Sequence, residues 1–298
     1  MAGLFRRRDR GAGGGGRDLT GFAHEGIVFV GDIHRRWDHV ARGLAALARP
    51  PEAVVLLGDM ECTEPLDRLA APILQTGAEL HWIFGNHDYD GGPEMWANLA
   101  EPALNPATTA GALHGRVREI AGVRIAGLGG TFRPRVWHPP NPPRIRRRAD
   151  LAADLATLGP GWSAESTAAL AHSLSVMAIW PEDVEALAGQ RADVLVTHEA
   201  PTSHPSGVAV LEDLARAMGA RLVVHGHHHI GYRAEAADGL RVLGVGAAWG
   251  VSLAGSPRWP GSRSAGSAAP RRAGASAPDQ KGTSPQMVTR CMMRVSAG

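Results

Sequence analysis

Five short apolar runs in this chain end on residues of one chemical kind. Ile27-Val28-Phe29-Val30 leads into Gly31-Asp32-Ile33-His34, and Val54 to Leu57 into Gly58-Asp59. Leu80 to Phe84 leads into Gly85-Asn86-His87-Asp88, Val194 to Val196 into Thr197-His198, and Leu222 to Val224 into His225-Gly226-His227-His228-His229. A short apolar run closed by a turn signal reads as a strand buried on both faces. Helical patterns fall between the runs. Trp37, Val40, Leu44 and Leu47 recur at helical spacing until Pro50-Pro51 stops them, and further helices are expected near Pro65 to Gln75, 150–158, 164–172, 181–189 and 207–218, the last closed by Gly219. Arg116 to Ile120 and Val123 to Leu128 read as a hairpin about Ala121-Gly122, and Leu240 to Val245 as a final strand. Strands alternating with helices predict an α/β fold whose ligands bind at the carboxyl ends of the strands. The five polar strand ends then meet at one edge.

What meets there is a set of Asp, Asn and His side chains. These hard oxygen and borderline imidazole donors suit Mn, Fe, Zn or Ni and need no thiolate. Seven donors exceed the four of a tetrahedral ion, and two ions that share a bridging carboxylate use them all. The motifs D-x-H, GD, GNHD, a later His and GHxH, in that order from about Gly26 to Gly250, resemble those of the calcineurin-like metallophosphoesterase superfamily. The resemblance implies two packed mixed β-sheets flanked by helices, a four-layer α/β fold. It implies that Asp32, His34 and His229 bind a first metal ion, that Asn86, His198 and His227 bind a second, and that Asp59 bridges both. It places His87 above the ions as a general acid, with Asp88 orienting it. The implied activity is hydrolysis of phosphomonoesters or phosphodiesters by a hydroxide held between the two ions.

The chain also departs from that pattern. Arg35 follows His34 where many relatives carry Gly, and Gly58-Asp59 continues as Met60-Glu61-Cys62 rather than the VDRG of the protein Ser/Thr phosphatases. Small phosphoesters are therefore favoured as substrates over phosphoproteins. Arg35, directly after a ligand motif, and Arg133 and Arg135, in a loop over 131–148 that ends Arg144-Ile145-Arg146-Arg147-Arg148, are candidates for contacting phosphate oxygens. His204, six residues after His198, is a candidate for lining the pocket. His225 and His228 neighbour ligands but face the other way in an extended segment, so packing roles are expected of them. The same holds for His24, His39, His81, His114, His138 and His172.

Composition removes several classes. With 31 Lys+Arg against 29 Asp+Glu the chain is nearly neutral, yet residues 19–250 carry 26 acidic side chains against 19 Arg, and both ends are basic. No apolar run approaches the roughly 18 residues of a membrane span. Cys62 and Cys291 are the only cysteines, which excludes a disulfide scaffold and a multi-cysteine zinc site. The basic start lacks the apolar stretch of a secretory signal, so a cytoplasmic location is expected. Residues 1–20 and 251–298, rich in Gly, Ser, Pro, Ala and Arg, are expected to be disordered around a domain over 21–250. Two alternatives to the phosphoesterase stand: a nucleic-acid processing or binding protein acting through its basic ends, and a catalytically silent binding protein on the same fold.

Overall fold

The structure is a computed structural model that describes residues 26–261. In chain order its elements are β1 (Ile27–Val30), α1 (Trp37–Ala45), β2 (Ala53–Leu56), α2 (Leu66–Leu69), α3 (Ala71–Leu74), β3 (Glu79–Trp82), α4 (Gly92–Ala100), β4 (Arg116–Ile120), β5 (Val123–Leu128), α5 (Leu151–Leu155), α6 (Ala164–Met177), α7 (Pro181–Ala188), β6 (Val194–Thr197), α8 (Ala209–Met218), β7 (Leu222–His225), β8 (Tyr232–Glu235), β9 (Arg241–Gly244), β10 (Gly250–Ser252) and β11 (Pro257–Trp259).

The strands form two mixed sheets, ordered β11-β10-β1-β2-β3 and β4-β5-β6-β7-β9-β8. Strands β1, β2 and β3 run parallel in the first sheet, as do β5, β6, β7 and β9 in the second. Side chains alternate across each strand, and here both faces are covered. Ile27, Phe29, Val55 and Leu57 meet Val194, Val196, Val224 and Val245 in the layer between the sheets. Val28, Val30, Val54 and Leu56 pack outward with Trp37, Val40 and Leu66 of the helices. Leu195 and Val223 pack outward on the other side with Leu151, Val184, Leu211 and Leu214. Burial on both faces is why these strands read as unbroken apolar runs rather than as alternating patterns. The result is the four-layer α/β arrangement.

The structure corrects some expected boundaries. The helix expected over Pro65 to Gln75 is two short helices, because Pro72, at the start of α3, has no N–H to continue the α2 ladder. The domain does not end at 250. β10 pairs antiparallel with β1, matching Val28 to Ser252 and Val30 to Gly250, and β11 pairs with β10. Trp259 is 5% exposed, and its Nε1 donates to the Ala248 carbonyl at 3.0 Å. The disorder expected over 251–298 therefore fails for 251–261. The expected disorder of residues 1–20 and of the chain beyond 261 lies outside the described residues.

Candidate metal centre

The parallel strands of both sheets bring their carboxyl ends to one edge, and there the loops adopt conformations that ordinary residues avoid. Among the described residues, eight non-glycine residues have positive φ, and six of them lie in these loops: His34, Arg35, Asp59, Glu61, His227 and His229. Such conformations each cost about 1–3 kcal/mol and persist only where the surroundings over-determine them. The glycines allow the loops to crowd. Gly58 turns at φ +99°, and a Cβ on Gly85 would lie 2.2 Å from Asp59 Oδ1 and 2.4 Å from His198 Cε1. No side chain larger than hydrogen fits there.

Asp88 fastens two of these loops together. Its Oδ2 accepts N–H bonds from Asp59 at 2.9 Å and Gly85 at 2.8 Å, and its Oδ1 accepts from Glu61 at 2.8 Å. It is wholly buried. Burial and the nearby Asp59 charge push its carboxyl up to about 7. The expected role of orienting His87 therefore does not belong to Asp88. His87 Nδ1 instead pairs with Asp90 Oδ2 at 2.6 Å. Residues Asn86–Tyr89 form a 3₁₀ turn, in which side chains three residues apart eclipse. Asp90 thus lies over His87, while Asp88 points inward. The Asp90 hydrogen bond raises His87 to about 9.

The remaining candidates converge in two sets. Donor atoms of Asp32, His34, Asp59 and His229 lie within 4.8 Å of one another, and so do those of Asp59, His198 and His227. Asp59 belongs to both sets. Its Oδ2 stands 3.8 Å from His34 Nε2 and 3.4 Å from His198 Nε2. Asn86 Oδ1 lies 3.2 Å from His198 Nε2, and the His34 and His229 Nε2 atoms are 2.8 Å apart. His87 stands beside the first set, its ring centroid 5.4 Å from that of His34.

The electrostatics of the site favour cations. Asp59 Oδ1 accepts the His87 N–H and Asp32 Oδ1 accepts the His227 N–H, both at 2.8 Å. The Oδ2 atoms of Asp32 and Asp59 are buried and have no hydrogen-bond partner among the described residues. A buried carboxylate oxygen without a partner is costly, and a divalent ion satisfies it. Burial pushes Asp32 up to about 6. Burial alone would raise Asp59 as well, but His198 holds it below the ordinary carboxylate range. Burial and neighbouring imidazoles lower His227 to about 3 and His229 to about 4, so both rings are neutral near pH 7, as metal ligation requires. The chemistry of this donor set fits two metal ions.

Two of the rings also have a second partner that fixes their orientation, a common arrangement around metal ligands. His198 Nδ1 donates to the Leu57 carbonyl at 2.8 Å, and His34 Nδ1 pairs with Glu61 Oε1 at 2.6 Å. Glu61 Oε2 in turn holds Arg35 Nε at 2.7 Å, leaving the rest of that exposed guanidinium at the rim. Sequence reasoning missed Glu61, Asp90 and Glu199. The three-residue step from His87 to Asp90 was the only signal of the three, and it means something only in a 3₁₀ turn.

The other expectations divide. Arg135 is tied to Asp154 at 2.7 Å and donates to the Asp154 carbonyl. It fastens the loop to α5, so its expected substrate contact is corrected to a structural one. Arg144, Arg146 and Arg148 pair with Asp154, Glu185, and Glu182 and Asp183. Arg133 is half-buried, and its charge acts on Glu199. His204 stacks on His228 at 3.7 Å with the rings 10° apart, beside the ligand segment rather than on the ligands. His225 is buried, with Nε2 bonded to the Tyr232 hydroxyl at 2.8 Å.

The model of a family described as calcineurin-like phosphoesterase matches residues 26–231. A Haemophilus influenzae protein described as uncharacterized is 35% identical over 222 residues, covering 74% of this chain and 90% of that one. A solved dimetal phosphatase from Danio rerio resembles the chain at a TM-score of 0.46 and 12% identity, over 78% of this chain and 90% of its own. A Thermus thermophilus structure does so at 0.46 and 13%, over 76% and 94%. Since the family match takes in every strand end that carries a donor, the chain belongs to the calcineurin-like phosphoesterase family.

Proposed function

We propose that this protein hydrolyses small phosphomonoesters or phosphodiesters with the help of two metal ions. The observation that carries the reading is the pair of buried carboxylates. Asp32 and Asp59 each anchor one oxygen on a backbone N–H and keep the other buried without a hydrogen bond among the described residues, facing the site's imidazoles, and Asp59 belongs to both donor sets. Asp32, His34, His229 and Asp59 would hold one ion, and Asn86, His198, His227 and Asp59 the other. The donor types suit Mn, Fe, Zn or Ni. When bound, such a pair supplies Lewis-acid stabilisation of phosphoryl charge and activation of the attacking water.

The chain's own residues supply the other parts of the reaction. His87 is half-exposed at the rim. With Nδ1 engaged by Asp90, its Nε2 is free to donate a proton to the leaving oxygen as the P–O bond breaks, a contribution of about 10²–10⁴-fold. Arg35 follows His34, is held through Nε by Glu61 and is exposed, so its terminal nitrogens suit phosphoryl oxygens. Arg133, whose charge acts on Glu199 next to the ligand His198, is the loop arginine that remains a candidate for the ester's other substituent. The internal pairing of Arg144, Arg146 and Arg148 favours a small substrate over a nucleic-acid backbone, because it spends the loop's charge within the fold.

The test is metal-stripped protein to which Mn, Ni, Zn, Mg or Fe is returned. It is assayed on p-nitrophenyl phosphate, bis-p-nitrophenyl phosphate, cyclic nucleotides, dinucleoside polyphosphates and a phosphopeptide. Metal-dependent hydrolysis of the small esters is expected. Two bound ions with no turnover of any substrate would overturn the reading.

A further inference from the structure

Glu199 follows His198 directly, and its side chain is 14% exposed. Its two oxygens face different parts of the molecule. Oε1 accepts the Phe132 N–H at 3.0 Å, and Oε2 stands 3.9 Å from His227 Nε2. Phe132 opens the loop that carries Arg133. That loop is anchored just before it, where the Thr131 N–H donates to Met177 and the Thr131 carbonyl accepts from Ile179. The Phe132 ring meets Trp137 edge to face at 5.3 Å. Glu199 is therefore the junction between the Arg-bearing loop and a candidate metal ligand.

The ring of His227 has two ends to account for. Its Nδ1 is buried without a partner, and its Nε2 is the nitrogen nearest Glu199. A neutral imidazole carries one proton, and the nitrogen that ligates a metal is the one without it. A carboxylate facing Nε2 favours the proton there, which leaves Nδ1 as the donor. The geometry points to Glu199 as a positioning residue: its carboxylate selects the His227 nitrogen offered to the metal pair and ties the Arg133 loop to that same ligand. At 3.9 Å the two are beyond hydrogen-bond distance, so Glu199 acts on the neutral ring through the field of its carboxylate.

One competing arrangement uses the same atoms. Donors of Glu199, His227 and His228 also lie within 4.8 Å of one another, and His228 Nε2 is buried without a partner. A third cation there would require His227 to ligate through both nitrogens while carrying no proton. The positioning role demands no such state.

The inference rests on the two-metal reading. Its test is calorimetric titration of metal-free full-length protein with Mn(II), alongside thermal unfolding of the same metal-free samples. Wild type is expected to take up two equivalents. Glu199→Gln keeps the size and the acceptor for Phe132 but not the charge. One of its two equivalents is expected to weaken about 10–100-fold, with the other and the metal-free melting point unchanged. Glu199→Ala is expected to show that loss together with faster hydrogen exchange at the Phe132 amide. Wild-type affinity at both sites in Glu199→Gln would overturn the inference and leave the two-metal reading intact. Three equivalents in wild type, with the third lost in Glu199→Gln, would assign Glu199 as a ligand instead. Absence of any uptake by wild type would bring down both.

Discussion

Asp88 and Asp90 stand two residues apart and do unlike work. Asp88 satisfies three buried N–H groups, so Asp88→Ala leaves three donors unpaired, each costing about 1–3 kcal/mol. That variant is expected to lose thermal stability and metal content together, as measured by unfolding and by metal analysis. Among the described residues the Asp90 side chain pairs only with the His87 ring. Asp90→Asn is therefore expected to keep both metals while losing turnover on alkyl phosphates. His87→Ala is expected to lose more, about 10²–10⁴-fold on alkyl phosphates and less on p-nitrophenyl esters, whose leaving group needs no proton. Equal losses on both substrate types would refute the acid role. The carboxylates separate in the same way. Asp59→Asn is expected to impair both ions and Asp32→Asn one, read as metal equivalents bound. The donors at these positions could be read from the motifs, since each lies at a strand end. Glu61, Asp90 and Glu199 could not, because their partners depend on loop backbone that the residues themselves do not announce.

At the scale of elements, Asp183 at the start of α7 joins the Arg-bearing loop to the segment before β4. Arg148 reaches it at 2.6 Å and His114 at 3.3 Å. Burial would raise its carboxyl, but these two partners outweigh burial and lower it from 3.8 to about 2. A depressed carboxyl contributes stability above its unfolded pKa and loses it as pH falls through the folded one. The shift corresponds to about 2 kcal/mol. Asp183→Asn is accordingly expected to cost about that much at pH 7 in urea unfolding, and the difference from wild type should close between about pH 4 and 2. A difference independent of pH would contradict this account. Strands buried on both faces were legible in the sequence to within one or two residues. Tyr232–Glu235 was not, because half of its residues face solvent at the sheet edge. Gly250–Ser252 and Pro257–Trp259 were missed because three-residue strands in a Gly-, Ser- and Pro-rich stretch carry no apolar period.

At the scale of the whole molecule, the C-terminal strands complete the first sheet and cover α1. The Trp259 ring sits so close over Gly43 and Gly250 that a Cβ on either would fall about 2.5 Å from it. His39 Nε2 also contacts the Pro260 carbonyl at 2.8 Å. Trp259→Ala is expected to cost about 3–5 kcal/mol, measured by denaturant unfolding. Ending the chain after Gly250 removes β11, most of β10 and that ring, and is expected to yield aggregated or unfolded protein. A soluble, cooperatively melting 1–250 fragment would show that the first sheet does not need this closure. Among the described residues no helix is long and apolar enough to cross a membrane.

The sequence by itself determined which residues are the candidate metal donors. Doubly buried strands must be apolar throughout, so the first polar residues after them stand out, and their order along the chain matches one family. Only the tertiary structure decided how those residues are held. Two mixed sheets packed face to face, with the carboxyl ends of their parallel strands at one edge, bring Asp59 between two donor sets, turn Asp88 inward to fasten the loops, and put Asp90 over His87 and Glu199 behind His227. Those pairings form between segments as much as 195 residues apart, as His34 and His229 are. A one-dimensional pattern marks where such residues stand, and the packing of the two sheets selects which of them meet.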